Sequence, residues 1–138
     1  MDDFPFGCRV RFRDLDAEAH VNYASYLTYL EEAINLLWEK VMSKSRRSID
    51  VREIGFVTAR LEIDYRHPAQ WGQKLQIDVE LIEVGSSSFT TEYEIRDAET
   101  GGLIVEAESV QVVTLDREEG GPMPDDIRDS LITFCKSS

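Results

Sequence analysis

Histidine and cysteine are nearly absent from this chain, two of each in 138 residues, and that scarcity argues against a zinc site at the outset. His20 and His67 stand far apart, and no ligand spacing ties either one to Cys8 or Cys135, whereas a zinc site needs about four such ligands at recognisable intervals. No metal is therefore expected. The cysteines sit near opposite ends without a C-x-x-C spacing, so reduced thiols and a cytoplasmic setting are expected instead of a disulfide framework. Basic residues are outnumbered, 15 Lys and Arg against 27 Asp and Glu, for a formal charge of −12. That argues against a nucleic-acid partner, whose phosphates need a basic face. No stretch of about 18 apolar residues occurs, so no membrane span is expected. The opening MDDFPF is acidic where a secretory leader would be basic and then apolar. The G-x-S-x-G elbow of serine hydrolases is missing, as are the phosphate-loop and dinucleotide glycine patterns.

What is present is strong periodicity, over a length that suits one domain spanning residues 1–138. Cys8, Val10 and Phe12 alternate with Arg9, Arg11 and Arg13, the period of a half-buried strand. The period then changes. Tyr26, Leu30, Ala33, Leu37 and Val41, flanked by Leu27, Ile34 and Trp38, recur every three or four residues, which predicts a helix from Asn22 to Met42 with a wide apolar stripe. Such a helix is roughly 30 Å long, enough to span a small domain. Asn22 or Ser25 can cap it.

After the polar SKSRRS the pattern is that of strands. Val57, Ala59, Leu61, Ile63 and Tyr65 are expected to face one way, with Pro68 ending the pairing. Leu75, Ile77, Val79 and Leu81 form the next alternating set, Gly85 and three serines a turn, and Phe89, Thr91, Tyr93 and Ile95 the set after that. The last run, Leu103 to Leu115, is apolar on both faces toward its end and reads as a strand buried on both sides. Short connections make the later strands antiparallel. The tail from Pro124 to Phe134 reads as a short amphipathic helix on Ile127, Leu131 and Phe134. About five antiparallel strands and one long helix to cover their apolar face make an α+β layer arrangement, a curved sheet wrapped around that helix. Periodicity alone leaves a cystatin-like fold open as well.

The junction between first strand and helix carries the chemistry. Asp14-Leu15-Asp16, then His20-Val21-Asn22, then Ala24, Tyr26 and Tyr29 to Ala33, resembles the signature of hotdog-fold acyl-CoA thioesterases of the 4-hydroxybenzoyl-CoA thioesterase type. The resemblance extends over nearly the whole chain and implies the hotdog fold, in which the sheet wraps one long helix. It also implies hydrolysis of acyl-CoA thioesters to free acid and coenzyme A, with Asp16 as the catalytic carboxylate. Coenzyme A is then part of the substrate, and no separate cofactor is implied. Hotdog proteins generally pair into dimers with active sites at the interface, so a homodimer or homotetramer is expected. An unpaired edge strand is a further reason for pairing.

Placed in that scheme, amides at the helix N-terminus around Tyr23 to Ser25 polarise the carbonyl. Asp16 acts either as nucleophile, through a mixed anhydride, or as general base on a water. His20 either polarises substrate, binds water or orients Asp16, or else hydrogen-bonds to backbone. Asn22 either caps the helix or contacts the carbonyl. Tyr23 and Tyr26 are candidates for the acyl pocket, Tyr26 being also a stripe residue. Gly85, Ser86 and Ser87 occupy the position where the family presents backbone to the pantetheine and nucleotide. Arg66 is a candidate for the phosphates, which an acidic chain must meet with local positive charge. Two positions depart from the family pattern: Gly72-Gln73 stands where Gly-Asp is usual, and Tyr23 replaces a second Asn. The alternative from another class is a non-catalytic hotdog module that binds acyl-CoA or an acyl carrier protein. An enzyme acting on carrier-protein thioesters is disfavoured, since those partners are themselves acidic.

Overall fold

A computed structural model describes residues 6–11, 15–16, 23–44, 54–115 and 122–135. Among them are five strands, β1 (Phe6–Arg9), β2 (Ile54–Tyr65), β3 (Lys74–Val84), β4 (Ser88–Asp97) and β5 (Leu103–Leu115), and two helices, α1 (Ser25–Lys44) and α2 (Asp125–Phe134). The strands form one curled antiparallel sheet in the order β1-β3-β4-β5-β2.

The three central strands follow their alternation closely. Leu75, Ile77, Val79 and Leu81 of β3, and Phe89, Thr91, Tyr93 and Ile95 of β4, are all buried. They share the inner face because side chains two apart on a strand point the same way. On β5 the same face carries Val105, Ala107, Ser109, Gln111 and Val113. Val110 and Val112, on the other face of β5, are only half-buried, so the expected two-sided burial is partial.

β2 departs from the expectation. The pairing register of β2 on β5 shifts between Thr58 and Arg60, so Ala59 sits in a bulge with no partner of its own. A bulge inserts one residue and reverses which side the following residues face. Phe56 and Thr58, opposite Val113 and Gln111, therefore share the inner face with Leu61, Ile63 and Tyr65, opposite Ser109, Ala107 and Val105. Val57 points outward, against the single alternation read from the sequence. β2 is also a sheet edge, and its inner-face Leu61 and Tyr65 stay 38% and 47% exposed.

α1 starts three residues later than expected, at Ser25, after a turn at Tyr23 and Ala24, and runs on to Lys44. Its stripe packs against the sheet: Tyr26, Leu30, Ala33, Leu37 and Val41 are buried, with Tyr29, Ile34 and Trp38 beside them. Trp38 stacks on Phe89 of β4, ring centroids 5.7 Å apart, and meets Phe56 of β2 edge-on at 5.1 Å. Burial of one such side chain contributes about 1.5–3 kcal/mol. α2 matches the amphipathic tail expected, with Ile127, Leu131 and Phe134 buried and Asp125 and Asp126 in its first turn, where the helix dipole favours them. The Ser130 hydroxyl donates to the Val41 carbonyl of α1, and β3 is bridged to Cys135 just past the helix. The two helices thus cover the sheet together. No helix among the described residues is long and apolar enough to cross a membrane.

Candidate active site

The end of the sheet where α1 begins gathers the candidate residues. The Tyr65 hydroxyl, at the last position of β2, donates to the Tyr23 carbonyl at 3.1 Å and so ties the strand to the turn that opens α1. The Tyr26 ring meets that of Tyr65 at 5.4 Å and that of Tyr29 at 6.1 Å, both edge-on. Its hydroxyl accepts a hydrogen bond from the Ala69 backbone N–H at 2.9 Å. Burial holds the Tyr26 phenol above its ordinary value of 10.0, the Ala69 hydrogen bond opposes this, and the neighbouring Tyr65 and Asp16 add to the rise. Asp16 is therefore within electrostatic reach of Tyr26, and it is exposed. Tyr26 itself stands in the first turn of α1, where backbone N–H groups and the helix dipole stabilise negative charge.

The structure thus groups Asp16, Tyr23 and Tyr26 and adds Tyr65, which sequence reasoning had assigned only to an apolar strand face. Its signal was a phenol closing a strand three residues ahead of Pro68. His20 and Asn22 lie outside the described residues. Arg66 follows Tyr65 but sends its guanidinium away, onto Glu106 on the outer face, at 2.8 Å. Gly85, Ser86 and Ser87 are at the opposite end of β3 from Lys74, a strand path of roughly 35 Å. Their carbonyls are taken internally, by Arg128, Met123 and Val113 respectively. Within one copy of the chain this turn and Asp16 do not meet.

Between α1 and β2 runs an open groove of about 710 Å³, within the range of small-molecule sites. Leu27, Leu30, Ile34 and Trp38 form its helix side, and Phe56 and Leu61 its strand side. Its floor is polar. Thr91 donates to the Tyr93 hydroxyl at 2.8 Å, and the Ser109 hydroxyl lies 2.7 Å from Tyr93 and 2.8 Å from Thr91, closing a ring of three. Gln111 donates to Ser109 at 2.9 Å and accepts from Thr58 at 2.8 Å. Burial raises the Tyr93 phenol above 10.0, against the hydrogen bonds from Ser109, Thr91 and Gln111.

The outer face has a cavity too, of about 340 Å³, lined by carboxylates. Like charge makes it hostile to the phosphates of a nucleotide. Among the described residues no three His, Cys, Asp or Glu side chains are grouped to hold a metal ion.

Comparison with known proteins identifies the family and the fold. The profile of the Thioesterase-like superfamily matches residues 10–131. The chain is 32% identical over 127 residues to the long-chain acyl-CoA thioesterase FadM of Escherichia coli (strain K12), covering 91% of this chain and 76% of that protein. Among solved structures, a thioesterase from Thermus thermophilus, complexed with coenzyme A and Zn, superposes with a TM-score of 0.77 at 30% identity, covering 92% and 95% of the two chains. The 1,4-dihydroxy-2-naphthoyl-CoA thioesterase Slr0204 from Synechocystis gives a TM-score of 0.79 at 21% identity, covering 95% and 96%, and supports the fold.

Proposed function

This chain belongs to the thioesterase-like superfamily, and from that membership we propose that it is an acyl-CoA thioesterase, hydrolysing the thioester to a free acid and coenzyme A. The observation that supports the site is that the charge of Asp16 is felt by the Tyr26 phenol in the first turn of α1. The thioester carbonyl accepts from backbone amides at the α1 N-terminus, which stabilise the oxyanion as it forms. Asp16 then acts by one of two routes. As nucleophile its carboxylate attacks the carbonyl carbon, the C–S bond breaks, and the thiolate leaves and takes up a proton. Water afterwards hydrolyses the mixed anhydride and restores the carboxylate. As general base Asp16 instead takes the proton of a water that attacks the carbonyl carbon directly; the C–S bond breaks and the proton passes to the leaving thiolate, which restores the carboxylate. The reaction needs no resident cofactor, and a cytoplasmic setting suits a chain whose two cysteines are read as reduced.

A homodimer completes this reading. β2 leaves one side of the sheet open, and a second copy added antiparallel along it would bring its Gly85–Ser87 turn toward the first copy's Asp16 end. Backbone at that turn, with the Arg128 guanidinium 3.1 Å from the Gly85 carbonyl, is then available to the coenzyme A portion.

The test is hydrolysis of short, long and aromatic acyl-CoAs, followed by thiol release, for the wild type and Asp16→Asn. A drop of at least about 10²-fold in kcat is expected for the variant, with its melting curve and coenzyme A binding unchanged. Wild-type protein that binds acyl-CoA but releases no thiol would make the chain a binding module. A fully active variant would remove Asp16 from the mechanism.

A further inference from the structure

We propose that the polar floor of the groove, Thr58, Tyr93, Ser109 and Gln111, selects acyl chains that carry a hydroxyl or keto oxygen remote from the thioester. The inference rests on the thioesterase reading above and names the substrate class of that same site.

The argument starts from the strands. The inner faces of β3, β4 and β5 are otherwise apolar, and β3 keeps that pattern without interruption from Leu75 to Leu81. On β4 and β5 it is broken at matched positions. Thr91 pairs with Ser109, which in turn lies opposite Leu61, while Gln111 lies opposite Thr58. Five polar side chains therefore form one belt across three adjacent strands, under the middle of α1. Thr91, Ser109, Gln111 and Tyr93 are each at most 3% exposed.

Burying such groups is tolerable only because they bond to one another. A matched set of aliphatic side chains would be about as stable or more so. Fold stability alone gives no reason for the belt. What sets it apart is its position. Tyr93, Ser109, Gln111 and Thr58 all line the groove, and Thr58, on the edge strand, is exposed. The belt also keeps hydrogen-bonding capacity. The Gln111 amide is engaged within the belt, donating to Ser109 and to the Tyr93 hydroxyl. Thr58, which donates to Gln111, keeps its hydroxyl lone pairs for a ligand in the groove.

Distance defines the class. Tyr65 stands in the cluster with Tyr26 that lies within reach of Asp16, and Leu61, opposite Ser109, is four residues back along β2, roughly 13 Å at strand rise. A single benzoyl ring falls short of that. An extended chain with a terminal or near-terminal oxygen reaches it, its methylenes lying against Leu27, Leu30 and Ile34.

The experiment compares dodecanoyl-CoA, 12-hydroxydodecanoyl-CoA and 3-hydroxydodecanoyl-CoA, the last with its oxygen beside the thioester. For the wild type, kcat/KM of the 12-hydroxy ester is expected to exceed that of the plain ester about tenfold, while the 3-hydroxy ester gains nothing comparable. Gln111→Leu is expected to bring the ratio close to one. Thr58→Val, a change on the exposed strand, reduces it by a smaller factor and serves if Gln111→Leu does not fold. A wild-type ratio near one, or a ratio unaltered in these variants, overturns the inference. Binding of the two chains as non-hydrolysable CoA thioethers, read from tryptophan fluorescence through Trp38 in the groove wall, separates the two readings. A tenfold preference in Kd without any turnover sustains the selection and rejects the thioesterase, whereas turnover with equal Kd values rejects the selection alone.

Discussion

The two faces of the sheet carry polar groups under opposite rules. On the inner face every polar side chain has a partner, as in the closed ring of Thr91, Tyr93 and Ser109. On the outer face carboxylates stand directly opposite one another across four strands. One row runs Asp78, Glu94, Glu106, Asp64 and the next Glu80, Glu92, Glu108, Glu62. Like charges in cross-strand register are unfavourable, yet here water and three arginines offset the repulsion: Arg60 on Glu62, Arg66 on Glu106 and Arg96 on Glu94. The contrast is one of solvent. Where water is excluded a polar group must be matched, and where water is present repulsion is tolerated and can serve to keep anions away. The outer carboxylates repel a nucleotide's phosphates, in keeping with the proposed coenzyme A site on the α1 side of the sheet.

Breaking the inner face should have the largest effect. Phe89→Ala removes a ring packed on Trp38 and Phe56 and is expected to lower stability by about 3–5 kcal/mol, measured by denaturant unfolding. Thr91→Val keeps the shape but opens the hydroxyl ring, leaving Tyr93 and Ser109 short of a partner; a loss of about 1–3 kcal/mol is expected. On the outer face the sign should reverse. Glu92→Gln lies between Glu80 and Glu108 and is expected to stabilise by about 0.2–1 kcal/mol, a gain that shrinks in high salt.

The smallest effect concerns a carboxylate whose neighbours are donors. Backbone N–H of Thr100, the Gln73 amide and the N–H of Glu99 hold Asp97 below its ordinary 3.8. A depressed folded-state value means that its contribution is present above pH 3.8 and lost as pH falls through the lower folded value. Asp97→Ala should therefore flatten the acid limb of a stability profile below about pH 4 while leaving its alkaline limb alone.

How far the sequence could be read differs along the chain for physical reasons. β3 and β4 are inner strands flanked on both sides, so a simple period of two carries their burial, and α2 declared itself through Ile127, Leu131 and Phe134. β2 could not be read the same way. A bulge at Ala59 leaves no mark in composition, and an edge strand exposes inner-face residues such as Tyr65 that look like core. At the site, Asp16 was a candidate through the family resemblance, since its spacing alone suits a turn or capping aspartate equally well, and Tyr26 was legible as a residue of the helix stripe. Tyr65 was not, because it comes from an element 39 residues later than Tyr26 in the chain. Arg66 was a candidate by charge alone, and charge does not say which way a guanidinium turns.

Local order belongs to the sequence: the alternating strands, the helix with its stripe, and an acid-rich chain with almost no histidine or cysteine were set by periods and counts that neighbouring residues share. The tertiary structure alone decided what distant residues do together. It closed Thr91, Tyr93, Ser109, Gln111 and Thr58 into one floor beneath α1, turned Arg66 outward onto Glu106, and set the Gly85–Ser87 turn at the far end from Asp16, because strand register and a single bulge determine which side chains meet, and neither is written in any local stretch of the chain.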